Sequence, residues 1–227
     1  MGADSYKKKL ITGLIVGTIG ALAGLICLTF LNRILMHLPL AARMPWGIVS
    51  YWIIAAAPVA VMLYCNDKPR DYGFTKQNIT GQILTGLVIG VLMSVVLTLL
   101  PHLAGLGDFV DNGRRYTYLW QFAYEFVYCV FAVGFVEELV FRGFIYRKTE
   151  LLCGSEAAAV AVSSAAFGLF HFLGGSIIQM IVTGLLGVFW CVCRNRIKSC
   201  TIISLIIAHG VYDALISVWA AVFFNGF

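Results

Sequence analysis

The sequence predicts an all-α protein, a polytopic transmembrane bundle of seven or eight helical spans. Hydrophobic residues make up 60% of the 227 residues, and charged residues only 12%. The apolar residues form long uninterrupted runs, whereas a transmembrane β-barrel would alternate polar and apolar residues in strands of about ten. Because these runs use most of the chain, we expect a single transmembrane domain over residues 1–227.

Seven apolar segments can be delimited, each close to or above the ~20 residues that cross the hydrocarbon core. They are residues 10–32, 46–64, 79–100, 118–145, 156–174, 177–193 and 201–224. The first follows three lysines and, at ~22 residues, exceeds the apolar core of an ordinary signal peptide, so we expect an uncleaved span. The last is interrupted by His209-Gly210 and Asp213, which leaves an eighth span open as an alternative.

Small residues recur four apart in three spans. The pairs are Gly13 with Gly17, Gly20 with Gly24, and Gly86 with Gly90. Glycines at this spacing let two helices approach closely. We favour packing inside the bundle over dimerisation, and the sequence leaves the oligomeric state open.

The positive charges follow the ends of the apolar runs. With seven spans, 12 of the 16 Lys and Arg residues lie on the side of the N-terminus. The positive-inside rule then predicts a cytoplasmic N-terminus. The formal net charge is +5, but no basic patch with interleaved aromatic residues occurs, so we expect the lipid bilayer as a partner and no nucleic acid.

Ionisable residues inside the spans are few, and such residues are costly at membrane depth unless they are paired or functional. Glu137, Glu138 and Arg142 lie in the fourth segment and His171 in the fifth. The last segment carries His209 and, four residues on, Asp213.

Helical spacing separates the roles of the two glutamates. Glu138 and Arg142 are four residues apart, with the acid first, so we predict a structural ion pair. Glu137 lies about 100° around the helix from Glu138, which makes it the candidate general base. Asp213 can accept a hydrogen bond from His209 and fix its tautomer.

Two chemistries suit these residues. One is a glutamate that activates water for amide hydrolysis, with histidines that stabilise the oxyanion. The other is a zinc site of two histidines and a carboxylate. The sequence lacks a His-Glu-x-x-His helix and a Gly-x-Ser-x-Gly elbow. We therefore predict neither a metal nor a cofactor, although zinc chemistry stays open at this point.

At these residues the chain resembles the CAAX proteases and bacteriocin-processing enzymes, also called ABI proteins. Their three motifs are Glu-Glu-x-x-x-Arg, Phe-x-x-x-His and His-x-x-x-Asn or Asp. Here they are Glu137-Glu138-Leu-Val-Phe-Arg142, Phe167-Gly-Leu-Phe-His171 and His209-Gly-Val-Tyr-Asp213, all within residues 120–220.

The resemblance implies an intramembrane endopeptidase of the glutamic type. The first glutamate, Glu137, would activate water, His171 would assist, and His209 with Asp213 would complete an oxyanion-binding pair. Asp213 stands where the eukaryotic and archaeal members favour asparagine, and an ionised carboxylate donates no hydrogen bond, which favours a role in orienting His209.

The compact size resembles the bacterial members of the family. It implies a bacterial plasma-membrane protein whose peptide or protein substrate enters from the membrane or the cytoplasmic side. Two other functions remain as alternatives. One is a non-catalytic bacteriocin-immunity or partner-binding protein with a structural polar core. The other is a proton-coupled carrier, for which we find neither inverted repeats nor paired broken helices.

Overall fold

A computed structural model describes residues 3–110, 113–173 and 175–225 of the chain. These residues form helices and connecting turns, without a strand among them. The main helices are α1 (Ala3–Leu35), α2 (Leu40–Tyr51), α3 (Ile53–Tyr64), α4 (Ile79–Leu103), α5 (Leu119–Cys153), α6 (Glu156–Phe172), α7 (Ile177–Arg196) and α8 (Ile202–Asn225).

The predicted fold class, a polytopic helical bundle, is confirmed. Within the described residues, six helical stretches are long and apolar enough to cross a membrane, with α2 and α3 counted together as one stretch, Leu40–Tyr64. The fifth predicted segment is the shorter apolar helix α6. Its last predicted residue, Gly174, lies outside the described residues.

The structure refines three of the predicted segments. The second segment is broken at Trp52, whose backbone N–H bonds to the carbonyl of Val49, three residues back, at 3.2 Å. The last segment forms one continuous helix, α8, so no eighth span arises from it. The fourth segment, predicted to end at residue 145, is helical as far as Cys153.

The helical course of that stretch has a structural reason. The Nζ atom of Lys148 donates to Asp67 at 2.6 Å, and Arg147 pairs with Glu150 at 2.6 Å, so the polar residues are paired while they remain helical. Gly154 ends the helix with φ at +64°, a conformation that glycine adopts most easily. The side chains of Arg142 and Lys148 are buried, although the charge count included both among the cations at the ends of the apolar runs.

The chain divides into two compact units. The first comprises residues 1–75 and 136–202, and the second comprises residues 76–135 and 203–227. Helix α5 thus contributes its first part to the second unit and its later part to the first unit. One domain over residues 1–227 stays a prediction.

Glycines bring helices together inside each unit. In the first unit, a Cβ atom on Gly24 would lie 2.6 Å from the carbonyl oxygen of Ile53, and one on Gly168 would lie 2.6 Å from that of Met180. In the second unit, a Cβ atom on Gly86 would lie 2.6 Å from the carbonyl oxygen of Ser204. Backbones touch at these points, as the small-residue spacing of Gly24 and Gly86 predicts for packing within the bundle.

Helix α5 contains two wider, π-helical segments. The first is Cys129–Gly134, in the second unit, and the next is Leu139–Ile145, in the first unit. Such segments are rare and occur often at functional sites. The second segment begins directly after Glu137 and Glu138, so the helix changes its geometry within the motif.

Candidate active site

The ion pair of the fourth span lies in the interior of the first unit. The Nη1 atom of Arg142 donates to Oε1 of Glu138 at 3.0 Å, and both side chains are fully buried. The four-residue spacing thus brings these two groups together despite the wider turn in between. Removing one partner of such a pair leaves a charge buried without compensation.

Phe167 connects this ion pair to the histidine of the next helix. The guanidinium of Arg142 lies over the Phe167 ring, with its Cζ atom 4.1 Å from the centroid. The same ring meets the His171 imidazole edge to face, at 4.6 Å between centroids. Since a cation over an aromatic face is attracted to it, the Phe167 ring stabilises Arg142 while it also contacts His171.

The hydrogen bond of His171 defines its tautomer. Its Nδ1 atom lies 2.9 Å from the carbonyl oxygen of Phe167. Because a carbonyl only accepts, Nδ1 carries the hydrogen, and in the neutral ring Nε2 is an acceptor.

His171 Nε2 lies 3.9 Å from Oε2 of Glu137. This separation leaves room for one water molecule that donates to both atoms, the reach that general-base catalysis requires. The side chain of Glu137 is 3% exposed and that of His171 is 22% exposed. The carboxylate is therefore almost completely buried, while the imidazole is partly exposed.

Tyr51 is a site residue that the sequence did not reveal. Its hydroxyl donates to Oε1 of Glu137. The other carboxylate oxygen, Oε2, is the one that lies near His171. A tyrosine inside an uncharged apolar span resembles the many aromatic residues of membrane helices, so no sequence signal distinguished it.

Arg194 is a second contact that the sequence did not reveal. Its guanidinium donates through Nη1 to the backbone carbonyl of Arg142, in the second π-helical segment. It also lies over the ring of Tyr146, 4.9 Å from the centroid. The sequence indicated only a flanking cation, but Arg194 ties α7 to the part of α5 that carries the glutamates.

The residues of the third motif lie in the second unit. The Nε2 atom of His209 is 3.4 Å from Oδ2 of Asp213, one turn along α8. His209 is buried, and its neighbour Gly210 packs so closely that a Cβ atom would lie 2.5 Å from Cα of Val130. Val130 belongs to the first π-helical segment of α5. The convergence of His209 with Glu137 and His171 stays a prediction.

Glu125 belongs to a separate network in the second unit. It is buried, pairs with Arg114, and accepts a hydrogen bond from the Tyr116 hydroxyl at 2.8 Å. This acid therefore has its own set of partners within the second unit.

The described residues contain no group of three or more His, Cys, Asp or Glu side chains arranged to hold a metal ion.

Residues 118–215 match the family model described as type II CAAX prenyl endopeptidase, Rce1-like. The matched region contains all three motifs. Through it the chain is similar to the CAAX protease family.

This match indicates a protease, and the apolar helices indicate an integral membrane protein. No curated protein and no solved structure matches the chain.

Proposed function

We propose that this protein is an intramembrane endopeptidase of the CAAX protease family in which Glu137 activates a water molecule. The observation that carries the proposal is the 3.9 Å separation between Oε2 of Glu137 and Nε2 of His171. A carboxylate and an imidazole acceptor at this separation can both accept hydrogen bonds from one water and orient it for attack.

In the proposed reaction the water oxygen adds to the scissile carbonyl carbon while Glu137 takes up the proton. A tetrahedral oxyanion forms, and His209, as an imidazolium whose other N–H faces Asp213, donates to it. The carbon–nitrogen bond then breaks, and the proton held by Glu137 passes to the leaving amine. Glu138 and Arg142 take no part in the proton transfers and maintain the helix that carries Glu137.

The proposed substrate is a peptide or protein that reaches the site from the membrane or the cytoplasmic side. We place the protein in a bacterial plasma membrane with a cytoplasmic N-terminus. The excess of Lys and Arg at one set of helix ends supports this orientation.

Comparison of peptide termini in whole cells tests the proposal. Cells that carry either the wild type or Glu137→Gln are compared by mass spectrometry of protein N- and C-termini. We expect at least one membrane-associated polypeptide whose new terminus appears only with the wild type, because the glutamine cannot act as a base.

Glu150→Gln is the matched control, since it neutralises a half-exposed glutamate in the same helix. It should leave the termini as in the wild type. If Glu137→Gln cells, at equal protein level, show every terminus of the wild type and keep the phenotype of the wild type, a non-catalytic immunity or partner-binding role replaces the protease.

A further inference from the structure

The contact between Tyr51 and Glu137 joins residues that are 86 positions apart in the sequence. Tyr51 is the last residue of α2, and Glu137 lies in the part of α5 that belongs to the same unit. The tyrosine is half-buried, whereas the carboxylate it contacts is almost fully buried. The Tyr51 hydroxyl therefore contacts Glu137 from another helix of the same unit.

The position of Tyr51 is determined by the packing that follows it. The chain turns at Trp52, and α3 begins at Ile53, whose carbonyl oxygen would lie only 2.6 Å from a Cβ atom on Gly24. Ile54 is fully buried beside this contact. The start of α3 is thus held against α1, and this contact fixes the end of α2 from which Tyr51 extends.

A carboxylate at the end of a glutamate side chain has a broad preference for its last torsion angle. A hydrogen-bond partner on one oxygen narrows the orientations that such a group samples. With the Tyr51 hydroxyl on Oε1, the other oxygen, Oε2, is the one directed towards Nε2 of His171. The hydrogen bond selects the orientation that the water-activating step requires.

We infer that Tyr51 is a positioning residue that holds the Glu137 carboxylate with Oε2 directed at His171. The consequence for turnover rests on the proposed function, whereas the orientation itself does not. Tyr51 acts through Glu137 and has no covalent part in the reaction.

The orientation is tested by infrared spectroscopy of the full-length protein in lipid nanodiscs. The difference between a protein and its Glu137→Gln counterpart isolates the carboxylate bands of Glu137, whose frequencies respond to hydrogen bonding. The same difference is then measured between Tyr51→Phe and the double variant Tyr51→Phe/Glu137→Gln. We expect the Glu137 carboxylate bands in this second difference to be shifted from those in the first. Tyr64→Phe, which removes the hydroxyl of an 82% exposed tyrosine at the end of α3, should leave them unchanged.

Turnover is tested with a farnesylated peptide reporter that ends in a CAAX sequence. Tyr51→Phe should lower kcat by about 10- to 100-fold, the worth of a hydrogen bond to a charged group, and leave KM nearly unchanged. It should have no further effect in the Glu137→Gln background, and p-aminophenylalanine at position 51, which retains a donor, should recover part of kcat.

Carboxylate bands that do not move with Tyr51→Phe would overturn the inference, whatever the activity. Bands that move while kcat equals that of Tyr64→Phe would also overturn the positioning role. If no variant and no wild type cleaves the reporter, the proposed function fails on that reporter, and a band shift still supports the orientation of Glu137. A melting temperature close to that of the wild type confirms that Tyr51→Phe is folded.

Discussion

Individual residues differ in how far the sequence could predict their partners. The contact between Glu138 and Arg142 follows from helical spacing, since side chains four apart lie on the same face. The contact between Tyr51 and Glu137 depends on how α2 ends and how α3 packs on α1, and local spacing does not encode it. The same holds for Arg194, which contacts the backbone of a distant helix.

At the residue scale, Glu138 and Arg142 should support stability while Glu137 supports turnover. Arg142→Ala should destabilise the protein by about 3–5 kcal/mol, because it leaves a buried carboxylate without its cation. Thermal denaturation in detergent measures the loss. Arg196→Ala, which removes one partner of an exposed pair with Glu156, should cost no more than ~1 kcal/mol.

Glu137→Gln should melt close to the wild type, because it removes no partner of the buried ion pair. Equal losses of stability in Glu137→Gln and Arg142→Ala, together with residual turnover in Glu137→Gln, would contradict this division of roles.

The helices illustrate a different limit of prediction. Apolar runs located the spans, but regular α-helical geometry was assumed for all of α5. Its π-helical segments depend on tertiary contacts, since Gly134 and Gly210 allow α8 to approach the first segment and Arg194 donates to a carbonyl of the second. A window of sequence does not contain those contacts.

At the element scale, the close packing of α6 on α7 should control the position of His171. Gly168→Leu adds a side chain at a position where even a Cβ atom would lie 2.6 Å from a backbone oxygen of α7. We expect a destabilisation of about 1–3 kcal/mol, with reduced turnover, from overpacking.

Ala165→Leu, on an exposed face of the same helix, is the control and should change neither property. Wild-type stability for Gly168→Leu, measured by thermal denaturation, would show that α6 and α7 are not in contact at this point.

For the whole molecule, the sequence predicted the fold class because hydropathy depends on composition and length alone. It predicted the orientation from a count of Lys and Arg residues. Two of these residues, Arg142 and Lys148, are buried in ion pairs in the structure. Thiol labelling can therefore test the orientation without relying on the charge count.

Cys153 is exposed at the end of α5, whereas Cys200 is buried before α8. Burial raises the pKa of the Cys200 thiol to about 12, so at pH 7.5 it is protonated and unreactive. With single-cysteine variants in sealed vesicles, we expect a membrane-impermeant maleimide to label Cys153 rapidly from the cytoplasmic side and Cys200 hardly at all. Labelling of Cys153 only from the opposite side would reverse the proposed orientation.

The central claim is that Glu137 is the base of a peptidase, and its most direct test is turnover by purified protein after treatment with a chelator. The farnesylated CAAX reporter is incubated with the wild type and with Glu137→Gln, both shown to be folded. We predict that the wild type remains active and that Glu137→Gln is slower by about 10²–10⁴-fold, the usual contribution of a general base. Cleavage by Glu137→Gln within tenfold of the wild-type rate, or wild-type activity that depends on returning a metal, would contradict the account.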